Sequence, residues 1–206
     1  MLTCEPHGPI LGDMTGRPRQ FDKCTALCAA MELFWKRGYT ATSLDDLLGV
    51  MSLSKSSFYA EFKSKESLYS ECLKHYQEMI AQHLSNVRKM SNSTRGFFEA
   101  IFAEAVADAD TGDPKGCFIV NSAIEFGQHD SRFTDDVWCA LTEVQRGFEA
   151  VLQQGIRKGE LSIPDSPKVM AKYITTCLSG LRAMIKGGMP PKDAKTVVKT
   201  ILASLE

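Results

Sequence analysis

From Asp22 onward, apolar residues recur at spacings of three and four, the period of helices buried along one face. Leu27, Ala30, Met31 and Phe34 share a face of a first helix spanning about 22–37. Lys36 and Arg37 occupy its last turn, where cations oppose the negative end of the helix dipole, and Gly38 follows as a stop. A second helix opens at Ser43-Leu44-Asp45-Asp46, a capping-box-like start, and carries Leu44, Leu47, Leu48 and Met51 on one face. Ser52-Leu53-Ser54 breaks the pattern before a short third helix, about 55–62. Lys63-Ser64 breaks it again before a fourth, about 65–89. Five more helical segments follow. Their markers are Phe97 to Ala105, Cys117 to Phe126, Phe133 to Leu152, Met170 to Ile185, and Ala194 to Leu205. No strand pattern and no internal repeat is visible, so the expected fold is all-α.

The first residues, MLTCEPHGPILGD, hold prolines and glycines without periodicity. They read as a disordered extension over 1–14, and MTGRPRQFD from Met14 looks like a natural start. Three helices over 15–63 form an N-terminal helix-turn-helix unit, and 64–206 a C-terminal helical domain.

The third helix is unusual for its hydroxyls. SLSKSSFYAEFKSKESLY carries six serines, although serine is a mediocre helix former. At 100° per residue, Phe58 and Phe62 point inward. Ser56, Tyr59, Ala60 and Lys63 lie outward, with Ser57 on a flank. Small residues let a helix sink into a major groove, hydroxyls reach base edges, and lysine meets phosphate or guanine. Periodicity alone fits a solvated surface helix equally well.

Composition sharpens this slightly. The 206 residues carry a net charge of −1, but 15–65 hold eight bases against five acids. A mildly basic front therefore sits on an acidic remainder. No apolar run is long enough to span a membrane, and no signal peptide is visible, so a cytoplasmic location with mostly free thiols is expected for the seven cysteines.

The run from Gly16 to Tyr76 resembles the DNA-binding domain of the TetR/AcrR family of bacterial transcriptional regulators. The resemblance rests on GRPRQFD, LFWKRGYTATSLDDL and SKSSFYAEFKSKESLY, with Phe58-Tyr59, Phe62 and the Lys63 to Glu66 segment close to the family pattern. Ser52 departs from it, since glycine often occupies that turn. The resemblance implies groove contacts by Lys55, Ser56, Ser57 and Tyr59; Lys63, outward on the same helix by its spacing, and Ser54, the expected cap at its head, complete the expected DNA-binding set on this helix. It implies phosphate contacts by Thr42, Ser43 and Lys65, and a basic arm of Arg17 and Arg19. It also implies a C-terminal domain that binds an effector and dimerises through its last two helices.

Small residues on an apolar helix, Ser179, Gly180 and Ala183, suit close helix approach, and Val197 and Ile201 complete the candidate dimer face. The expected effector pocket comprises Phe98, Phe102, Cys117, Phe118, Asn121, Glu125, Trp138 and Tyr173. Cys117, Asn121 and Glu125 fall four apart, a polar stripe on a largely apolar helix whose polar groups need partners. Cys117 follows Gly116 at a helix start, a position that favours thiolate, and some relatives sense electrophiles or oxidants through such a cysteine. A small buried hydrophobe is the alternative for this residue.

Other chemistry is poorly supported. Cys24 and Cys28 have no further ligand for zinc, and the Asp108–Asp113 segment has Ile119 where a calcium loop needs glutamate. No cofactor, metal or catalytic set is expected. The function expected is a homodimeric repressor that binds a palindromic double-stranded operator and is released by a small-molecule or electrophile effector. The alternatives are a constitutive DNA-binding module whose C-terminal domain only dimerises and, more remotely, a Cys-dependent hydrolase.

Overall fold

A computed structural model of the protein describes residues 22–127 and 131–205, except the side chains of 131 and 132. The described residues form nine helices and no strand: α1 Lys23–Arg37, α2 Leu44–Met51, α3 Lys55–Phe62, α4 Lys65–Met90, α5 Thr94–Ala109, α6 Phe118–Phe126, α7 Ser131–Arg157, α8 Pro167–Lys186 and α9 Pro191–Ala203. The all-α expectation holds. The extension expected over 1–14 and the arm residues Arg17 and Arg19 lie outside the described residues.

Local chemistry explains the helix starts. Asp22 accepts from the N–H groups of Cys24 and Thr25 at the head of α1. Ser43 and Asp46 form a reciprocal capping box on α2. Ser54, Ser64, Ser93 and Ser166 cap α3, α4, α5 and α8 through the N–H of the third helical residue. Hydrogen bonds from the Ser43 hydroxyl and N–H, with Arg37 nearby, hold the Asp46 carboxyl below its ordinary 3.8. A depressed carboxylate stabilises the fold above that ordinary value and loses the contribution as pH falls below it and through the lower folded-state pKa. Asp46→Asn is therefore expected to flatten the stability decline below pH 3.8, as read by acid titration of helical circular dichroism. An unchanged acid limb would contradict the assignment.

Two apolar cores organise the molecule. The first joins α1–α4 to α6 and the start of α7, through Met31, Phe34, Leu47, Phe58, Phe62, Tyr69, Phe118 and Phe133. The second joins α5, the far half of α7, α8 and α9, through Phe98, Phe102, Phe148, Ile174 and Ile201. The 26-residue α4, ~39 Å long at 1.5 Å per residue, runs alongside both. The first core thus extends across the 63/64 boundary, and α3 sits on packing supplied partly by the C-terminal region.

Candidate nucleic-acid interface and effector cavity

The face of α3 away from the first core is built as the periodicity predicts. Phe58 and Phe62 are fully buried, whereas Lys55, Ser56, Tyr59, Ala60 and Lys63 are exposed. Tyr59 is 46% exposed, with its ring edge-to-face on Phe58. Ser54 Oγ accepts from the Ser57 N–H and lies 2.9 Å from both the Ser56 and Ser57 hydroxyls, gathering three hydroxyls at the helix head. Glu61, the acid on this helix, is partly buried and paired with Lys23 at 3.1 Å. Lys23 also reaches Glu71 at 3.0 Å and lies over the Phe62 ring. Burial opposes its charge, but the hydrogen bonds to Glu71 and Glu61 outweigh it and raise the Lys23 pKa. Lys23 thereby ties α1, α3 and α4 together and neutralises Glu61, leaving Lys55 and Lys63 as the charges of the exposed face. The sequence reading missed this role, because i-to-distant pairs leave no local spacing.

Both breaks around α3 use left-handed backbone. Ser52 adopts φ 53°, ψ 42°. It takes the αL conformation that glycine would fill more readily, so the turn is kept despite the substitution. Lys63 has φ 65°, ψ −49°, and the Ser64 N–H donates to the Phe62 carbonyl at 2.7 Å, a strained γ-turn that separates α3 from α4.

Two candidate phosphate contacts sit differently from the expectation. Thr42 is buried, and its hydroxyl donates to the Gly38 carbonyl at 2.6 Å, so its side chain closes the α1–α2 loop rather than facing outward. The Lys65 ammonium lies 4.0 Å from the centroid of the Tyr39 ring, and burial lowers its pKa against the pull of Glu66 and Glu125. Ser43 is exposed but engaged in its capping box.

The candidate pocket residues separate into four places. A cavity of about 60 Å³ lies among α4–α8, and of the expected set only Cys117 lines it. Its polar wall comprises Tyr76, His83, Glu104, Cys117, Thr175, Ser179 and Arg182. Ile80, Ile101, Leu141, Val144 and Phe148 are among its apolar lining. The Tyr76 hydroxyl donates to Cys117 Sγ at 3.7 Å, and burial pushes the Tyr76 phenol well above its ordinary range. Phe98 and Phe102 instead fill the second core. Trp138 and Tyr173 are exposed, at 65% and 42%. Phe118, Asn121 and Glu125 line a separate cleft of about 280 Å³ between α1 and α6.

Glu125 is the clearest correction. Its carboxylate accepts from the Tyr39 N–H at 2.9 Å and the Thr40 N–H at 2.7 Å, latching the end of α6 to the α1–α2 loop. Tyr69 donates to Ser122 Oγ at 2.6 Å one turn earlier, since that serine donates onward to the Phe118 carbonyl. Helix α6, ~13 Å long, therefore carries Cys117 at one end and the loop latch at the other.

Of the candidate dimer residues, Gly180 and Val197 are exposed and Ala183 is half-buried. Ser179 lines the cavity, and Ile201 is buried in the second core. Val169, Tyr173, Gly180 and Met184 fall four, seven and four apart, so the exposed apolar residues of α8 form one face. No group of three His, Cys, Asp or Glu residues suited to a metal occurs among the described residues, and no described helix is long and apolar enough to cross a membrane.

Comparisons with known proteins agree with this geometry. Residues 26–72 match the family described as bacterial regulatory proteins, tetR family, and residues 97–201 match the tetracyclin repressor-like C-terminal domain. The chain is similar to the HTH-type transcriptional repressor ComR of Escherichia coli (27% identity, 91% of this chain and 90% of that protein). It is also similar to the HTH-type regulator YezE of Bacillus subtilis (30% identity, 77% and 83%). Among solved structures, a cysteine mutant of the TetR family regulator CifR complexed with 26-bp operator DNA superposes with a TM-score of 0.81 (31% identity, 93% of this chain and all of that one). The exposed α3 face, the two turns that isolate it and the helical domain behind it are thus those of a known class: the chain belongs to the TetR family of helix-turn-helix transcriptional regulators.

Proposed function

We propose that this regulator is a cytoplasmic, non-enzymatic repressor that binds a palindromic operator as a homodimer and releases it when an effector occupies the α4–α8 cavity. The observation that carries the DNA reading is the α3 face: exposed, small, and free of unpaired acid because Glu61 is held by Lys23. The α8 stripe with Val197 of α9 supplies the dimer face, whose two-fold would match operator symmetry.

Lys55 is the cation at the head of α3, on a face without Arg, Asn or Gln. Lys55→Ala is expected to weaken operator binding by roughly 1–3 kcal/mol and to relax preference at one base step. Competition of operator against random duplex at fixed salt measures this, and retention of full operator preference would contradict the assignment.

The latch suggests how an effector acts. A ligand shifts an equilibrium only through unequal affinity for its two states. One wedged against Cys117 and Tyr76 displaces the head of α6, and Glu125 carries that displacement to the α1–α2 loop. The Cys117 thiol on the cavity wall also favours an electrophilic effector. N-ethylmaleimide is then expected to lower operator affinity in the native protein and not in Cys117→Ser. Equal responses of the two proteins would exclude thiol sensing and leave reversible binding in the same cavity.

A further inference from the structure

The cavity and the protein surface share two side chains. Along the α4–α5 seam the cavity takes Tyr76, Ile80, His83 and Leu84 from α4, and Ile101 and Glu104 from α5. The seam continues outward as a groove of about 630 Å³, which takes His83, Val87 and Met90 from α4, and Gly96, Ala100 and Glu104 from α5. His83 and Glu104 line both spaces. His83 Nε2 and Glu104 Oε2 lie 2.7 Å apart, and both side chains are about three-quarters to two-thirds buried, at 25% and 32% exposure. A hydrogen-bonded polar pair thus stands where an apolar cavity meets a more polar groove containing Asn86, Ser91 and Asn92.

Neither residue has a role in the reading face or the latch. A pair tied to one another is also easier to part than a packed apolar wall. The net worth of such a hydrogen bond is small, whereas displacing interlocked core side chains forfeits many contacts. His83 and Glu104 are the residues that the two linings share, whereas Phe148 and Ile101 line the cavity alone.

We infer that the His83–Glu104 pair is the gate of the cavity, and that the α4–α5 groove is the vestibule through which a small, mainly apolar ligand reaches it. The inference rests on the reading of the cavity as an effector site. The pair sets the rate of passage, and the donor and acceptor freed when it parts favour ligands that carry one polar group on an apolar body.

The test follows passage rather than operator release. Ile101 is buried on the cavity wall, so Ile101→Cys places a thiol that a reagent reaches through the cavity. Methyl methanethiosulfonate, small and neutral, is the reagent, with modification followed peptide by peptide. Buried Cys72 reports general loosening, and exposed Cys139 reports reagent activity. In the Ile101→Cys background, His83→Ala is expected to speed modification at 101 about fivefold, the factor represented by one hydrogen bond of ordinary net strength. His83→Trp, which fills the gap, is expected to slow it, with Cys72 and Cys139 unchanged in both variants. Unchanged rates at 101, or acceleration of Cys72 in step with it, would overturn the gate. Failure of the effector reading shows separately, as a cavity that takes the reagent while operator affinity stays constant.

Discussion

Phe58→Ala is expected to cost about 3–5 kcal/mol of stability, the range for truncating a fully buried phenylalanine. Phe58 sits in the first core and packs its ring against Phe62 at 5.8 Å, so the cavity opens beneath α3 itself. Against a typical total of roughly 5–15 kcal/mol the loss is large, and for a chain of this length it corresponds to a fall of about 10 °C in Tm. Thermal unfolding by circular dichroism measures that part. The functional part separates by comparison with Phe148→Ala, which removes an equally buried ring from the second core. Both variants should lose similar stability. At a temperature where both remain folded, Phe58→Ala alone should lose operator binding, because α3 then has no firm inner face. Equal operator affinity in the two variants would show that the seat of α3 does not depend on Phe58.

The contrast between these phenylalanines shows what was legible in the sequence. Helical periodicity identified Phe58 and Phe62 as inward and Lys55, Ser56 and Tyr59 as outward, because a short helix with a single apolar side leaves no other arrangement. The caps were equally readable, since a serine or aspartate before an apolar run satisfies N–H groups within its own turn. Phe98 and Phe102 were correctly seen as apolar. Periodicity says that a side chain is buried, however, and does not say against which neighbour. In a molecule with two cores and several cavities, that choice belongs to the packing of helices distant in sequence.

The cavity wall shows the same limit. Tyr76, His83, Glu104 and Arg182 come from three helices, and no spacing relates them. Arg182 carries one local signal, a cation one turn beyond Leu178 on the same helix face, but Lys168, Lys172 and Lys186 on that helix dilute it. Trp138 misled in the opposite direction: a large aromatic suggests burial, yet this one is 65% exposed on α7. Thr42 misled through its neighbours. Beside an exposed cap at Ser43, its own hydroxyl turns inward to a carbonyl four residues back. Glu125 was placed on a polar stripe correctly, but its partners are the N–H groups of residues more than eighty positions away.

Those partners make Gly38 the second position of large effect. Gly38→Ala is expected to destabilise the protein by on the order of 3 kcal/mol, for two reasons that can be separated. Its backbone sits at φ 83°, ψ 169°, a region nearly confined to glycine and costing about 1–3 kcal/mol for other residues. A Cβ there would also stand 2.9 Å from Glu125 Oε2 and 3.3 Å from the carboxyl carbon. The carboxylate is the end of a flexible side chain and can swing aside, but doing so releases the Tyr39 and Thr40 N–H groups. Because that site is solvent-exposed, water replaces much of the lost hydrogen bonding, and backbone strain carries most of the cost. Glu125→Ala alone should therefore be mild in stability while raising amide exchange at Tyr39 and Thr40. The double variant isolates the strain, since the carboxylate that Cβ would meet is gone, and a double-mutant cycle gives the coupling directly. A cycle with zero coupling, and unchanged exchange at those two amides in Gly38→Ala, would show that the latch does not bear on the loop. Nonzero coupling would tie α6 to the α1–α2 loop, the link that the proposed effector release requires.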